Sequence, residues 1–456
     1  MNGISDLEMP KQTGLVTAIG FVCLVSAPLW AYGLFFPFAG ENKALAILPV
    51  FAVVIALQLA LIYWTSAGDR FMAEVMFVGF LLKLAAVSTF MFTVTTVYEG
   101  AADLFLYFDR GRQIVNDFSL TGSWTVLHPF YGTNFTIMQT SWLVFVFGPT
   151  FQGLMIISAT LSFWGQYLFY RSFCIAFPRG LHRLAAIVMF FVPSIVFWTS
   201  AIGKDSVTFF FMGASCYWFS KLTQRNNLAA IVAVLASLSG VMLVRPHIAA
   251  MLVISLAAAY LLSKNLHGTL GMAAKTVGIP LLLLASVYFV TQTQDFVDEG
   301  GTQQTAQGLA KSVADNNYGL GGSTFGQSLT YRLAAAPFLL FRPFPWEAHN
   351  AEAAIASIEG VCLLLFFWRR RKLLWASFRS SREKAFVLFL WVYAAEFLLV
   401  FGASMTNFGL LSRERVMFTP LALMILLSEA PPSKEPLRIW NAGAAIDAIY
   451  RPHQCT

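Results

Sequence analysis

Long apolar runs alternate along the chain with short polar breaks, and each run has the length of a membrane helix. Crossing a bilayer takes about 20 mostly apolar residues. Windows of that kind fall at 14–36, 43–65, 72–97, 149–170, 183–200, 205–221, 227–244, 246–263, 273–292, 352–368, 384–404 and 414–428. The pattern predicts an all-α fold: a polytopic integral membrane helical bundle of about 12 transmembrane helices. Tight turns join 183–200 to 205–221 and 227–244 to 246–263, so each pair is expected to form an antiparallel hairpin. Two breaks, 98–148 and 293–351, are long. No internal repeat and no separate soluble domain is visible, so 1–456 is read as one transmembrane domain with two long loops.

Composition agrees. Hydrophobic residues fill 57% of the 456 positions and charged residues 12%, against roughly 25% charged in ordinary soluble chains. One soluble core cannot hide that apolar surplus. The net charge of +7 does not point to nucleic acid, because the basic residues are spread through short inter-helix segments. Cys23, Cys174, Cys216, Cys362 and Cys455 show no metal-ligand spacing, and most read as small buried hydrophobes. The first apolar run is too long for the core of a cleavable leader, so none is expected.

Charge gives the bundle a direction. Arg369-Arg370-Arg371-Lys372, with Arg379, Arg382 and Lys384, should lie in the cytoplasm. Counting spans backwards puts Lys264, Lys275, Lys221, Arg225, Arg171, Arg179, Arg183, Arg70 and the N-terminus on the same side. Counting forwards adds the C-terminus. Roughly twice as many Lys and Arg fall inside as outside. Both long loops are then periplasmic.

The polar groups that lipid does not explain gather on that outer side. The first loop is expected to carry an interfacial helix, in which Asp103, Tyr107 and Arg110 share a face and Asp109 lies beside it. Lys204 and Asp205 occupy the turn of the first hairpin, where Asp205 can cap the next helix. Arg245-Pro246-His247 opens another helix, a position that favours anions. Arg342-Pro343-Phe344-Pro345-Trp346-Glu347-Ala348-His349 closes the second long loop. Arg413-Glu414-Arg415 heads the last span. Each has a plain structural account: solvated charges, a snorkelling Arg, a belt anchor, a turn pairing through Glu414. Together they line the outer mouth with bases, carboxylates and two histidines, a setting for a substrate with phosphate at the surface, sugar in water and a tail in lipid. Guanidinium forks match phosphate oxygens. Lys83 stands apart, inside the third span, where a charge is costly and usually paired.

Five segments together resemble a known family: the acidic first outer loop, the Phe-Trp-x-Ser-x-x-x-Lys-Asp hairpin at 197–205, Arg245-Pro246-His247, the Arg342–Glu347 segment and the closing Asn-Phe-Gly…Arg-x-Arg run at 407–415. They resemble multi-spanning bacterial envelope glycosyltransferases of the GT-C type, and most of all O-antigen or exopolysaccharide repeat-unit polymerases. The resemblance covers nearly the whole chain through short, degenerate motifs. It implies an enzyme of the bacterial inner membrane acting on polyprenyl-phosphate- or polyprenyl-pyrophosphate-linked saccharides at the periplasmic face. It also brings in a chain-length regulator and a flippase as partners beside membrane lipids. In such a polymerase, Arg245, Arg413 and Arg415 would hold the pyrophosphate, with Arg110, Lys204, Asp205, Arg342 and Glu347 as further substrate contacts. Asp103 or Asp109 would serve as base, with His247 and His349 behind them.

The lipid-monophosphate branch of that group has an acidic site after its first span that serves as base and can hold a divalent metal. Here Asp103 and Asp109 follow the third predicted span, and there is no large soluble C-terminal domain, which favours the polymerase. That reading requires no cofactor and leaves a divalent metal open. Two alternatives remain: a ligase or phosphotransferase on the same substrates, and a transporter or flippase of lipid-linked saccharides. Transporters usually hold ionisable groups near the midplane and often show repeats.

Overall fold

The computed structural model describes residues 44–66, 68–97, 102–225, 227–262, 336–348, 351–404 and 408–428, with isolated positions 17, 20 and 21. The predicted spans 14–36 and 273–292, most of loop 293–351 and His349 lie outside the described residues. Among the described residues every regular element is helical. Numbered in chain order, these are α1 Ala44–Ser66, α2 Arg70–Phe92, α3 Asp103–Thr121, α4 Gly132–Phe147, α5 Phe151–Ala176, α6 His182–Phe191, α7 Pro193–Trp198, α8 Lys204–Gln224, α9 Leu228–Val244, α10 Pro246–Leu262, α11 Ala351–Arg379, α12 Ala385–Ser404, α13 Phe408–Arg415 and α14 Thr419–Leu427. A π-helical turn, Thr93–Val97, extends α2, and 3-10 turns run at Ala336–Phe341 and Pro345–Glu347.

The all-helical class is as the periodicity predicts; α9 and α10 pack together as the second expected hairpin, whereas α8 packs on α5 and α9 and not on α6 and α7, so the first hairpin does not form. By length and apolarity, one helix among the described residues, Arg70–Val97, can cross a bilayer, or two if α4 and α5 form one bent span. Two predicted spans are broken by proline. The run 183–200 divides into α6 and α7 at Val192, whose ψ of 120° leaves the helical region ahead of Pro193. The run 414–428 divides into α13 and α14 across Val416–Phe418, with Pro420 in the first turn of α14. Every residue of α14 is buried, so this stretch is core.

The segment 98–148 holds two helices where one interfacial helix is expected. α3 is amphipathic and buries Leu104, Tyr107, Phe108, Gly111 and Ile114. It stops at Gly122, which takes φ 69°. α4 is apolar but studded with Thr and Gln, which conceal it in a hydropathy reading. Thr136 and Thr140 donate their hydroxyls to carbonyls one turn back, at 2.9 and 2.8 Å, so they cost little there. A bend of 112° separates α4 from α5. At the other end of the sequence, Arg369–Lys372 lie within α11 rather than in a loop. This helix of 29 residues is about 44 Å long, well beyond a hydrocarbon core of about 30 Å.

Small residues set the centre. α8 packs against α5 on one side and α9 on the other. A Cβ on Gly213 would stand 2.6 Å from the carbonyl oxygen of Gly165, and one on Gly165 would stand 2.9 Å from the Cα of Phe210. The two backbones touch because neither residue has a side chain, the device by which membrane helices pack closely. Outward-facing apolar side chains stay exposed on α1 (Tyr63, Trp64), α9 (Leu228, Leu235) and α11 (Leu365, Trp368).

Candidate functional site

Six charged residues converge where α8 and α10 begin. The turn before α8 needs Gly203, which adopts φ 152° and ψ −167°, a region that side chains largely forbid. Lys204 and Asp205 therefore enter the helix at a fixed angle. Asp205 is buried and takes two guanidinium groups: Oδ1 accepts from Arg245, and Oδ2 accepts from Nε of Arg413 at 2.6 Å. Arg245, also buried, donates its other terminal nitrogen to Glu414. Arg413 retains 26% side-chain exposure and reaches Asp103 of α3 at 3.9 Å. Lys204 donates to the hydroxyl of Thr133 on α4 at 2.9 Å. Three cations thus face three carboxylates, and the cluster is charge-balanced. Two of those carboxylates are buried, whereas Asp103 is 63% exposed.

Tyr107 seals one side, its ring 3.6 Å from where a Cβ on Gly203 would stand. Burial, and then the charge of Asp103, holds its phenol protonated well above the ordinary tyrosine range. It can donate a hydrogen bond at any physiological pH.

The other residues of interest lie elsewhere. Three consecutive residues of α13 divide between two networks: Arg413 and Glu414 join the cluster through Asp205 and Arg245, and Arg415 turns to a second one. The turn pairing through Glu414 that the sequence allows is therefore not the observed one. Arg415 is fully buried and donates to the carbonyls of Leu340 and Arg342, each at 3.0 Å, and to Glu359 at 3.3 Å. Arg342 and Glu347 pair with each other, and Glu347 also accepts the Phe344 N–H at 2.8 Å. Asp109 and Arg110 turn outward on α3, and Arg110 donates to Gln113 at 3.2 Å. His247 is half-buried, 6.2 Å from the ring of Phe401. Among the described residues no three of His, Cys, Asp and Glu group as metal ligands, and Asp205 and Glu414 are both engaged by arginine.

Two carboxylates outside the expected set, Glu359 and Glu396, are also held inside the helices, and Glu359 carries the second network. Glu359 accepts from the N–H and hydroxyl of Ser194 at 2.8 and 2.7 Å as well as from Arg415. Glu396, in α12, accepts from Ser255 of α10 at 2.6 Å. The signal was present: each is a carboxylate inside an apolar run, the same oddity that marks Lys83.

No known protein family, curated protein or solved structure matches this chain.

Proposed function

We propose that this chain is a polytopic glycosyltransferase of the bacterial inner membrane, with both termini cytoplasmic. In this reading it transfers a saccharide from a polyprenyl diphosphate onto an acceptor sugar at the periplasmic face, as a polysaccharide polymerase does. The observation that carries the reading is the convergence of Lys204, Arg245 and Arg413 with Asp103, Asp205 and Glu414. Exposed apolar faces on α1, α9 and α11 support the membrane setting.

The roles follow from burial. Arg245 is enclosed between Asp205 and Glu414 and serves as the internal strut. Arg413 and Lys204 keep solvent access and bind the diphosphate, with Asp205 holding the Arg413 fork in place. Asp103, the exposed carboxylate beside Arg413, takes the proton from the acceptor hydroxyl. The acceptor oxygen bonds to the anomeric carbon as the bond from that carbon to the diphosphate oxygen breaks. The lipid diphosphate leaves with its added charge stabilised by Arg413 and Lys204. Arg415, Glu359, Arg342 and Glu347 are scaffold in this scheme. Asp109 and Arg110 lie outside the reacting cluster.

Broken helices favour a second reading. α6/α7, α4/α5 and α13/α14 are discontinuous, and Lys83 and Glu396 lie within apolar helices, traits common in transporters. Purified protein in liposomes, supplied with a lipid diphosphate-linked oligosaccharide, separates the two. Longer oligosaccharides and free polyprenyl diphosphate are expected from the enzyme. Leaflet exchange with no new glycosidic bond would replace it by the flippase.

A further inference from the structure

Lys83 has no exposure and sits near the middle of α2. Its ammonium nitrogen is surrounded by four oxygens: the hydroxyl of Ser162 at 2.9 Å, the hydroxyl of Thr199, and the carbonyls of Ile195 and Val196 at 3.4 Å each. No carboxylate is among these partners. Three of the oxygens belong to the C-terminal end of α7 and the residue that follows it; Ser162 comes from α5.

The hydroxyl protons have other acceptors. Thr199 can donate to the carbonyl of Ile195 at 2.7 Å, and Ser162 can give its one proton to the carbonyl of Thr199 at 2.7 Å or to that of Ala159 at 2.9 Å. With the hydroxyl protons placed so, all four oxygens turn lone pairs towards the nitrogen. A neutral amine has two protons and a lone pair, and that lone pair would face an oxygen. An ammonium has three donors, two for the hydroxyls and one shared by the two carbonyls. The four-oxygen shell offers an acceptor to each of the three N–H donors of an ammonium.

The same oxygens form a cation cradle. The Ile195 carbonyl also accepts from the N–H and hydroxyl of Thr199, and the Val196 carbonyl from the hydroxyl of Ser200; the ammonium shares both oxygens with them, and carbonyls towards a helix C-terminus carry partial negative charge. Glu359 completes the arrangement at the opposite end, where it accepts the Ser194 N–H. α7 is thus held by a negative charge at its N-terminus and a positive charge at its C-terminus, each matching the end it touches.

We propose that the break after α7 is a monovalent-cation site whose resident cation is the tethered ammonium of Lys83. By neutralising the end of α7, that ammonium fixes Thr199 and the turn that presents Lys204 and Asp205. This holds whatever the outer cluster binds.

The test is chemical rescue of the full-length protein in nanodiscs. Lys83→Ala removes the tethered ammonium and opens room for a free ion. Its melting temperature should be lowest in choline chloride, whose cation is too large to enter. It should recover a substantial part of the loss in methylammonium, sodium or potassium chloride, while the wild type melts at one temperature in all four. Lys83→Met fills the space without charge and should be destabilised equally in every salt. A Lys83→Ala melting temperature that does not depend on the cation overturns the proposal. If that variant folds in none of the salts, Ser162→Ala decides, since it keeps the ammonium and removes one oxygen. A loss of melting temperature that shrinks when Lys83→Met is also present supports the cradle, and an equal loss in both backgrounds, or none, overturns it.

Discussion

Replacing Arg413 by alanine should cost little stability and much affinity, and the structure sets both magnitudes. Arg413 makes one charge-assisted bond to Asp205, at 2.6 Å, a contact worth roughly 1.5–3 kcal/mol. Its approach to exposed Asp103 at 3.9 Å adds at most about 1 kcal/mol. Asp205 still keeps Arg245, so no bare charge is left buried. Partial exposure of the Arg413 side chain screens these terms, and the expected loss is about 2 kcal/mol. Arg245→Ala is different, because it strands Asp205 and Glu414 inside the protein. The cost of breaking such a buried pair is about 3–5 kcal/mol. The order reverses for ligand. A diphosphate that loses the Arg413 fork should bind about 30- to 150-fold more weakly, the equivalent of roughly 2–3 kcal/mol. Binding of polyprenyl diphosphate to protein in nanodiscs, measured beside thermal melting, checks both halves. Arg413→Lys should recover only part of the affinity, since the charge survives and the fork does not. An unchanged Kd in Arg413→Ala would refute the diphosphate assignment. A destabilisation as large as that of Arg245→Ala would refute the division between strut and ligand contact.

Other consequences are as direct. Asp103→Asn should abolish transfer while leaving lipid diphosphate binding within a few-fold of wild type, and Asp109→Asn should keep activity; if both variants turn over normally, α3 supplies no base. Glu359→Gln leaves Arg415 without its counter-charge and should lower stability by about 3–5 kcal/mol in thermal melting; a wild-type melting temperature would show that the two carbonyl contacts of Arg415 suffice. Gly213→Ala forces a methyl against the Gly165 carbonyl and should cost roughly 1–3 kcal/mol; a wild-type melting temperature would show that α5 and α8 can separate freely. A topology reporter inserted after Gly122, between α3 and α4, should read periplasmic, and a cytoplasmic signal would reverse the orientation on which the outer site depends.

That the chain is helical, and where most helices run, is legible in the sequence, because an apolar window or an amphipathic stripe is a local property. The sequence also marks Asp103, Lys204, Asp205, Arg245 and Arg413 as a set, because charges beside apolar helices need a reason. Only the tertiary structure decided how they pair. The partners of Arg413, Glu414 and Arg415 lie on α8, at the start of α10 and on α11, far away in sequence, and three neighbours in the chain serve two separate networks. Nothing local distinguishes the guanidinium that holds the fold from the one left to meet a ligand; that difference is burial, which packing sets. Lys83 makes the same point more sharply. Sequence shows a charge where none belongs, but its partners are two hydroxyls and the carbonyls of a helix end, and those form a site only once α2, α5 and α7 have met.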